Sequence, residues 1–256
     1  MDPSTIIGIG LALVAILGSM IMEGGQPASL FLIPPIILVF GGTIGAAMAG
    51  TLMHEAKNMP KSLIRAIKAK PGTAHDNVQI IVKMAERARR EGLLALEGDV
   101  AAVEDPFLKR ALELAIDGTD ADEVAELLGA EVDAKRAADG AAAKLFHDMG
   151  GYAPTIGIIG TVIGLVHVLG SLSDTSTLGE KIAGAFVATL WGVMSANIFW
   201  FPLANRLKRV SEAECEQMEL AIEGVLAIQA GSNPRMIAQK LQSMLPSVEQ
   251  KQKDAA

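Results

Sequence analysis

The sequence predicts an all-α integral membrane protein that has four transmembrane helices and a helical cytoplasmic domain. Of its 256 residues, 50% are apolar and only 20% are charged, a balance typical of a membrane protein with a sizeable soluble part. Four long stretches contain no Asp, Glu, Lys or Arg, namely Pro3–Met22, Gly24–Met53, Met149–Ser173 and Ile182–Asn205. Each is long enough to cross the ~30 Å hydrocarbon core of a bilayer at ~1.5 Å rise per residue.

The basic residues predict how these helices are oriented. No Lys or Arg precedes Lys57. Basic side chains then follow the second and fourth stretches closely, at Lys57, Lys61, Arg65, Lys68, Lys70, Arg206, Lys208 and Arg209. By the positive-inside rule these flanks lie in the cytoplasm, so four crossings leave both termini there. The sequence therefore predicts a multi-pass membrane protein with short external connections at Glu23–Pro27 and about Asp174–Lys181.

The chain is predicted to divide into four parts. Residues 1–53 hold transmembrane helices 1 and 2, and residues 54–148 form the cytoplasmic helical domain. Residues 149–206 hold transmembrane helices 3 and 4, and residues 207–256 form a cytoplasmic C-terminal helical tail.

Helical periodicity predicts the elements of the cytoplasmic domain. Apolar residues recur at helical spacing along Val78–Leu96 and Phe107–Ile116. Asp120 is predicted to cap a long helix, whose pattern continues through Leu127 and Leu128 towards the third apolar stretch. A hinge is expected in this helix at Gly150-Gly151.

The tail is predicted to begin as a helix, Arg206–Ala230, which continues the fourth transmembrane helix. Gly231 starts a turn, and a second short helix follows Pro234. The polar residues Glu249–Ala256 are predicted to be disordered.

Small residues repeat every four positions in three of the apolar stretches. These repeats are Gly41, Gly45 and Ala49; Gly160 and Gly164; and Gly184, Ala188, Gly192 and Ala196. Such spacing lets helix backbones approach closely in lipid. Each repeat fits either packing within one chain or packing against another subunit, and three repeats in four helices indicate a homo-oligomer.

Enzymatic motifs are missing from the sequence. It contains no phosphate-binding loop, no His-Glu-x-x-His or Cys-x-x-Cys pair, and no Gly-x-Ser-x-Gly elbow. Its four histidines are scattered without metal-ligand spacing. We therefore expect no enzymatic activity, no cofactor, no fixed metal and no nucleic-acid partner. The single cysteine, Cys215, excludes an intrachain disulfide and is expected to be a buried structural thiol.

The apolar stretches also contain no carboxylate, and His167 is their only ionisable group near neutral pH. Membrane proteins that move ions usually keep a costly ionisable group in the bilayer. If ions pass along this protein, we expect a partner helix to supply the acid.

Two threonines lie deep in the third and fourth stretches, Thr161 and Thr189. A threonine in a membrane helix often bonds only to its own backbone. Two hydroxyls among glycines also suit a narrow ion pathway, because hydroxyl and carbonyl oxygens are ligands for a partly dehydrated cation. Any such cation would bind only transiently near Thr161 and Thr189.

Two prolines lie near the predicted cytoplasmic ends of the same helices. Pro154 fits the first turn of a helix, where its missing N–H costs little. Pro202 is expected to kink or loosen the fourth helix, since the carbonyl of residue 198 loses its bonding partner.

The segments GYAPTIGIIGTVIGLVHVLGSL and FVATLWGVMSANIFWFPLANRL, together with the four-span arrangement, resemble the MotA/PomA family of flagellar motor stator subunits. The resemblance covers about residues 1 to 245. It implies a homo-oligomeric ring of five subunits around two copies of a MotB/PomB-type partner. That single-span partner carries an essential membrane aspartate, and ion flow turns the ring against the rotor protein FliG.

The same resemblance implies roles for single residues. The segment ARREGLLALEGD is similar to the family's rotor-contacting stretch, which places Arg89 and Glu97 at the rotor interface, with Arg90 and Glu86 near enough to assist. Pro154 and Pro202 match two prolines tied to conformational coupling. Thr161 and Thr189 match the hydroxyls of sodium-driven members, whereas His167 departs from that pattern, so the sequence favours sodium only weakly.

Two other functions remain open at this point. One is the related ExbB/TolQ-type energiser of cell-envelope transport, which typically has three spans rather than four. The other is a self-sufficient transporter or channel, which the lack of membrane acids and of an inverted repeat disfavours.

Overall fold

The computed structural model of the protein describes residues 4–69, 74–170, 172 and 178–245, with only the backbone described for Ala74 and His75. All regular secondary structure in these residues is helical, as the sequence predicts. The α-helices are α1 Ser4–Met22, α2 Ile33–Ile36, α3 Gly42–Ala49, α4 Met53–Lys68, α5 Ala74–Glu91, α6 Glu97–Val100, α7 Pro106–Ile116, α8 Ala121–Leu169, α9 Leu178–Ser195, α10 Phe201–Gln229 and α11 Pro234–Met244. The 3₁₀-helices are Pro27–Leu30 and Leu93–Leu96, and the π-helical turns are Ile37–Gly41 and Ala196–Trp200.

Three helices are long and apolar enough to cross a membrane: Ser4–Met22, Ala121–Leu169 and Leu178–Gln229. The fourth apolar helix, Ile33–Ala49, is shorter and combines α2, a π-helical turn and α3. At ~1.5 Å per residue its 17 residues extend about 25 Å, close to the lower limit for a span. In chain order, Ser4–Met22 is the first apolar helix, Ile33–Ala49 the second, the part of α8 after residue 148 the third, and residues 178–205 the fourth.

The second apolar helix is shorter than the stretch Gly24–Met53 that the sequence offers. The chain turns at Gly24, whose φ of +80° favours glycine. A 3₁₀-helix follows, and the membrane helix begins only at Ile33 because Pro34 and Pro35, which lack an N–H, fit its first turn. Beyond Ala49, three non-helical residues, Gly50, Thr51 and Leu52, separate it from α4.

The third apolar helix corrects two predictions. The carboxylate of Asp120 accepts a hydrogen bond from the Asp122 N–H at 2.9 Å, so the predicted cap is confirmed. The helix that follows is unbroken from Ala121 to Leu169, so the hinge at Gly150-Gly151 is wrong. A Cβ added at Gly150 would lie 2.6 Å from the ring of Phe201, so this glycine serves close packing. Pro154 is likewise inside the helix and not in its first turn.

The fourth apolar helix continues into the tail, as predicted, and Leu178–Gln229 forms one helical run. It loosens before Pro202 through the π-helical turn Ala196–Trp200, in which the Phe201 N–H bonds the carbonyl of Ala196, five residues back. The run ends at Gly231, whose φ is +67°. The carboxamide of Asn233 then caps the predicted short helix Pro234–Met244.

The chain forms two compact units. The first combines residues 1–70 with 139–210 and contains the four apolar helices and α4. Its buried core includes Phe146, Met149, Ala153, Trp200 and Leu203. A bidentate ion pair between Arg65 and Asp139 joins α4 to α8 within this unit.

The second unit combines residues 71–138 with 211–256. Ile81 and Leu108, which the helical periodicity places inside, are fully buried there, and Cys215 is buried as expected. The helical pattern includes both Leu127 and Leu128 among the apolar positions. Leu128 is fully buried, but Leu127 is 40% exposed, so its inclusion is wrong. The predicted disorder of Glu249–Ala256 and most of the connection Asp174–Lys181 lie outside the described residues.

Candidate functional site

Glycines set the separation of the third and fourth apolar helices where the two threonines lie. A Cβ added at Gly157 would lie 2.8 Å from the carbonyl oxygen of Ala188, and one at Gly192 would lie 2.6 Å from that of Ala153. Contacts this short leave no room for a side chain, so the two backbones touch. The predicted small-residue packing of these two helices is therefore packing within one chain.

At this crossing Thr161 and Thr189 are hydrogen-bonded to each other through their hydroxyl groups. The Thr161 hydroxyl also donates to the Ala185 carbonyl at 2.9 Å and reaches the Gly157 carbonyl at 3.3 Å. Thr189 reaches the same Gly157 carbonyl at 3.3 Å. Thr161 is therefore not bonded to its own helix alone.

The cluster holds more acceptor oxygens than hydrogens. Each hydroxyl has one hydrogen and two lone pairs, and the carbonyls of Gly157 and Ala185 only accept. Two hydrogens thus serve four oxygen atoms, which leaves lone pairs for a hard cation such as sodium. The structure brings together the two residues predicted for the ion pathway, whose role stays a prediction.

The four oxygens carry no full charge. The four uncharged stretches contain no carboxylate, and the acid nearest to them in the fourth apolar helix is Glu180, in its first turn. The described residues include no cluster of three or more His, Cys, Asp or Glu that could hold a metal. Dipoles alone compensate a dehydrated cation poorly in a low-dielectric medium. The cluster itself therefore supplies oxygen dipoles and no acid.

A cavity of about 560 Å³ opens beside the crossing and is lined by Leu38, Gly160, Gly164, Ala185 and Ala188. The charged or titratable groups of its lining are His167, Glu180 and Lys181. The sequence analysis did not assign Glu180 a role, although a charge pair flanking an apolar stretch was a visible signal.

Trp191 is a second residue that the sequence analysis missed. Its indole N–H donates to the Leu30 carbonyl at 2.7 Å, which fixes the 3₁₀-helix that leads into the second apolar helix. The ring also packs edge-on against Phe31 and Phe40. Its position two residues from Thr189 was the sequence signal that could have identified it.

The two prolines occupy different settings. Pro154 lies within a continuous α-helix, next to Ala153, whose carbonyl approaches Gly192. Pro202 follows the π-helical turn Ala196–Trp200, and widened turns of this kind are frequent at functional sites. Coupling through either proline stays a prediction.

The four residues predicted for the rotor interface are all exposed: Arg89, Glu97, Arg90 and Glu86. Glu86, Arg89 and Arg90 share one face of α5, since they are three and four residues apart. Arg90 bonds the Glu86 carbonyl of its own helix at 3.3 Å. Arg89 and Glu97 make no ion pair with another described residue, which leaves both charges available to a partner.

Arg87 stabilises the surface that carries Arg89 and Glu97. Its guanidinium donates to both carboxylate oxygens of Asp99 at 2.7 Å and to Glu91 at 3.1 Å, which ties the end of α5 to α6. The hydrogen bond to Asp99, followed by that to Glu91, raises the pKa of Arg87 above its ordinary value. Gly92, with φ of +87°, makes the turn between the helices, so the predicted helix Val78–Leu96 ends at Glu91. The twelve-residue separation of Arg87 and Asp99 in the sequence does not indicate that these two residues pair.

Comparisons with known proteins agree with the membrane-helix fold described above. The family model described as Motility protein A N-terminal matches residues 6–92, and that of the MotA/TolQ/ExbB proton channel family matches residues 99–220. Motility protein A of Bacillus subtilis (strain 168) is 39% identical over 96% of this chain and 92% of its own length. Motility protein A of Aquifex aeolicus is 35% identical over 96% and 97%.

Two solved structures have the same fold. The flagellar MotAB stator complex from Bacillus subtilis contains a chain with a TM-score of 0.89 and 38% identity, covering 97% of this chain and 98% of that one. The C. jejuni MotAB structure gives a TM-score of 0.92 at 29% identity, with 96% of each chain covered.

Proposed function

The chain belongs to the motility protein A family, and from that membership we propose that it is the membrane subunit of a flagellar stator. In this role it works with a MotB-type partner and couples inward flow of a cation to torque. The observation that carries the proposal is the threonine pair at the helix crossing, which offers oxygen ligands without any acid. A single-span partner with a membrane aspartate supplies the missing charge.

The cation is sodium or a proton, and the geometry favours sodium. Sodium must recover several oxygen ligands when it loses water, whereas a proton needs one acceptor. The four oxygens around Thr161 and Thr189 lie within 3.3 Å of one another along hydrogen bonds, which suits an ion that needs several ligands.

The assembly that we propose is a ring of five chains around two partner helices in the bacterial inner membrane. Both termini and the second compact unit are cytoplasmic, in agreement with the basic residues that follow the second and fourth apolar helices. The exposed face carrying Arg89 and Glu97 meets the rotor protein FliG. The subunit acts mechanically and not as an enzyme.

The ExbB/TolQ alternative has weaker support. The family model of residues 99–220 includes those proteins. The match of residues 6–92 to the motility protein A N-terminal model covers both of the first two apolar helices, which a three-span energiser does not need. Every relative described above is a motility protein.

Cation leak in cells tests the proposal. Expression of this chain alone should give no leak, because a cation at the threonines has no compensating charge. Co-expression with a MotB-type partner should give a leak, and a partner whose membrane Asp is changed to Asn should not. Robust cation uptake by this chain alone would instead support a self-sufficient channel.

A further inference from the structure

A groove of about 290 Å³ lies between the first and fourth apolar helices, within the first compact unit. It exists because the first helix presents Gly8 and Ala12 to it. A Cβ added at Gly8 would meet no atom within 4 Å, and no residue of Ser4–Met22 is buried. The described residues of this chain therefore leave the space unfilled.

The lining of the groove changes from apolar to basic along the helices. The part deeper in the apolar helices is lined by Gly8, Ile9, Ala12 and Ile198, and by one polar side chain, Asn197, whose amide donates to the Val193 carbonyl of its own helix at 2.8 Å. Ser4, Thr5, Asn205, Arg206 and Arg209 line the other end. From residue 4 to residue 12 the first helix rises about 12 Å, which is the distance from a headgroup well into the acyl region.

The basic end is arranged for an anion. One nitrogen of the Arg206 guanidinium donates to the Ala69 carbonyl at 3.1 Å, which orients the group at the end of α4. Arg209 is exposed and makes no ion pair with another described residue. Guanidinium groups bind phosphate through paired N–H donors, and two neutral hydroxyls lie beside them.

We propose that this groove binds an anionic phospholipid, with its phosphate at Arg206 and Arg209 and one acyl chain along Gly8 and Ala12. Charge complementarity selects this occupant, because basic pockets between membrane helices on the cytoplasmic side bind anionic headgroups. The proposed membrane orientation decides only which leaflet the lipid comes from. The binding of the lipid does not depend on the proposed stator function. The acyl chain lies against Ile198 and Pro202, beside the π-helical turn.

The test is lipid binding to the complex of this chain with its partner, purified in detergent and followed by native mass spectrometry. Dioleoyl-phosphatidylglycerol, dioleoyl-phosphatidylcholine and inorganic phosphate are titrated separately. We expect phosphatidylglycerol to bind, phosphatidylcholine to bind much more weakly, and phosphate alone not to bind. Equal binding of the two lipids, or phosphate binding as tight as that of phosphatidylglycerol, would overturn the proposal.

Two variants with matched controls locate the site. Arg209→Gln should weaken phosphatidylglycerol binding about fivefold, since it removes a cation that lines the groove. Lys208→Gln removes the same charge outside the lining and should weaken binding much less. Gly8→Leu fills the groove without changing charge and should also weaken binding, whereas Gly10→Leu, which is not in the lining, should not. Undiminished binding in both test variants would overturn the proposal.

Two other occupants would give different results. If the Asp2 carboxylate were the anion of the groove, the native chain would bind no phosphatidylglycerol and Asp2→Asn would. If a neighbouring subunit closed the groove, no lipid would bind, and Gly8→Leu would change the number of subunits in the complex. Either result would overturn the proposal.

Discussion

Thr161 forms hydrogen bonds across the helix crossing as well as within its own helix. Its hydroxyl bonds the carbonyl of Ala185 on the facing helix at 2.9 Å, closer than the 3.3 Å to Gly157 on its own helix. A hydroxyl that served only its own helix would not be shared in this way.

Thr161→Ala should therefore raise the sodium concentration that half-maximal swimming speed requires, by about tenfold for one lost ligand. Thr161→Ser, which keeps the hydroxyl, should restore most of the activity. Thr155→Ala is the matched control, because Thr155 is exposed and bonds only the Tyr152 carbonyl in its own helix. Speed is measured across a sodium series at fixed pH. A native protein whose speed does not depend on sodium is a proton-driven stator, which contradicts the preference for sodium.

Arg89 and Glu97 should act through charge alone. Each is exposed, so a single neutralisation should weaken motility only modestly. The double reversal Arg89→Glu with Glu97→Arg should reduce swimming far more, because like charges then face each other at the rotor. Complementary reversals on FliG should restore it.

A second double reversal controls for this experiment. Arg235→Glu with Glu216→Arg also leaves the net charge unchanged and alters two exposed positions that the family resemblance does not place at the rotor. Swimming of this control should be normal. Normal swimming of the Arg89 and Glu97 reversal as well would show that these two residues do not contact the rotor.

At the scale of whole helices, the crossing of the third and fourth apolar helices is the most constrained contact. A methyl group at Gly192 would lie 2.6 Å from the carbonyl oxygen of Ala153 and 3.0 Å from the Cα of Gly157. Neither backbone atom can move without shifting a helix. Gly192→Ala should therefore separate the helices and displace the threonine pair.

The expected cost of Gly192→Ala is about 1–3 kcal/mol, as for other overpacked sites. Thermal unfolding of the purified complex should show a lower Tm, and swimming should fall with it. Gly179→Ala in the same helix should change neither, since its Cβ meets nothing within 4 Å. Equal behaviour of the two variants would mean that the close approach does not exist in the assembled protein.

Helices and caps were predictable here because their signals are local. Asp120 caps its helix, and Gly231 ends another, from residue type and position alone. The rest depended on residues distant in sequence. Gly150 was predicted to be a hinge, because the sequence does not show that Phe201, about fifty residues further along the chain, packs against it.

The same limit applies to the candidate site. Thr161 and Thr189 were predicted to line one ion pathway, and the structure brings their hydroxyls together. Trp191 and Arg87 were missed, since the Leu30 carbonyl and the Asp99 carboxylate that they bond come close only in the folded chain. No periodicity encodes such pairs.

At the scale of the whole molecule, one chain uses only part of its small-residue surface. The repeats of the third and fourth apolar helices pack against each other, since a Cβ added at Gly160 would lie 2.7 Å from the Cβ of Ala188. The repeat of the second helix does not: Gly41 and Gly45 are exposed, and a Cβ at either would meet nothing within 4 Å of the described chain. A surface of this kind suits close approach of a neighbouring subunit.

Subunit counting should give the proposed five copies of this chain with two of the partner, and Gly45→Leu should lower the number of copies of this chain. The leucine side chain would hold a neighbouring backbone away, whereas the fold of one chain has room for it. Gly18→Leu in the first helix, with equally open surroundings, is the control and should leave the count unchanged. Native mass spectrometry of the purified complex measures both. An intact five-to-two complex in Gly45→Leu would show that lipid, and not a subunit, covers the second helix. A native count other than five would contradict the proposed ring itself.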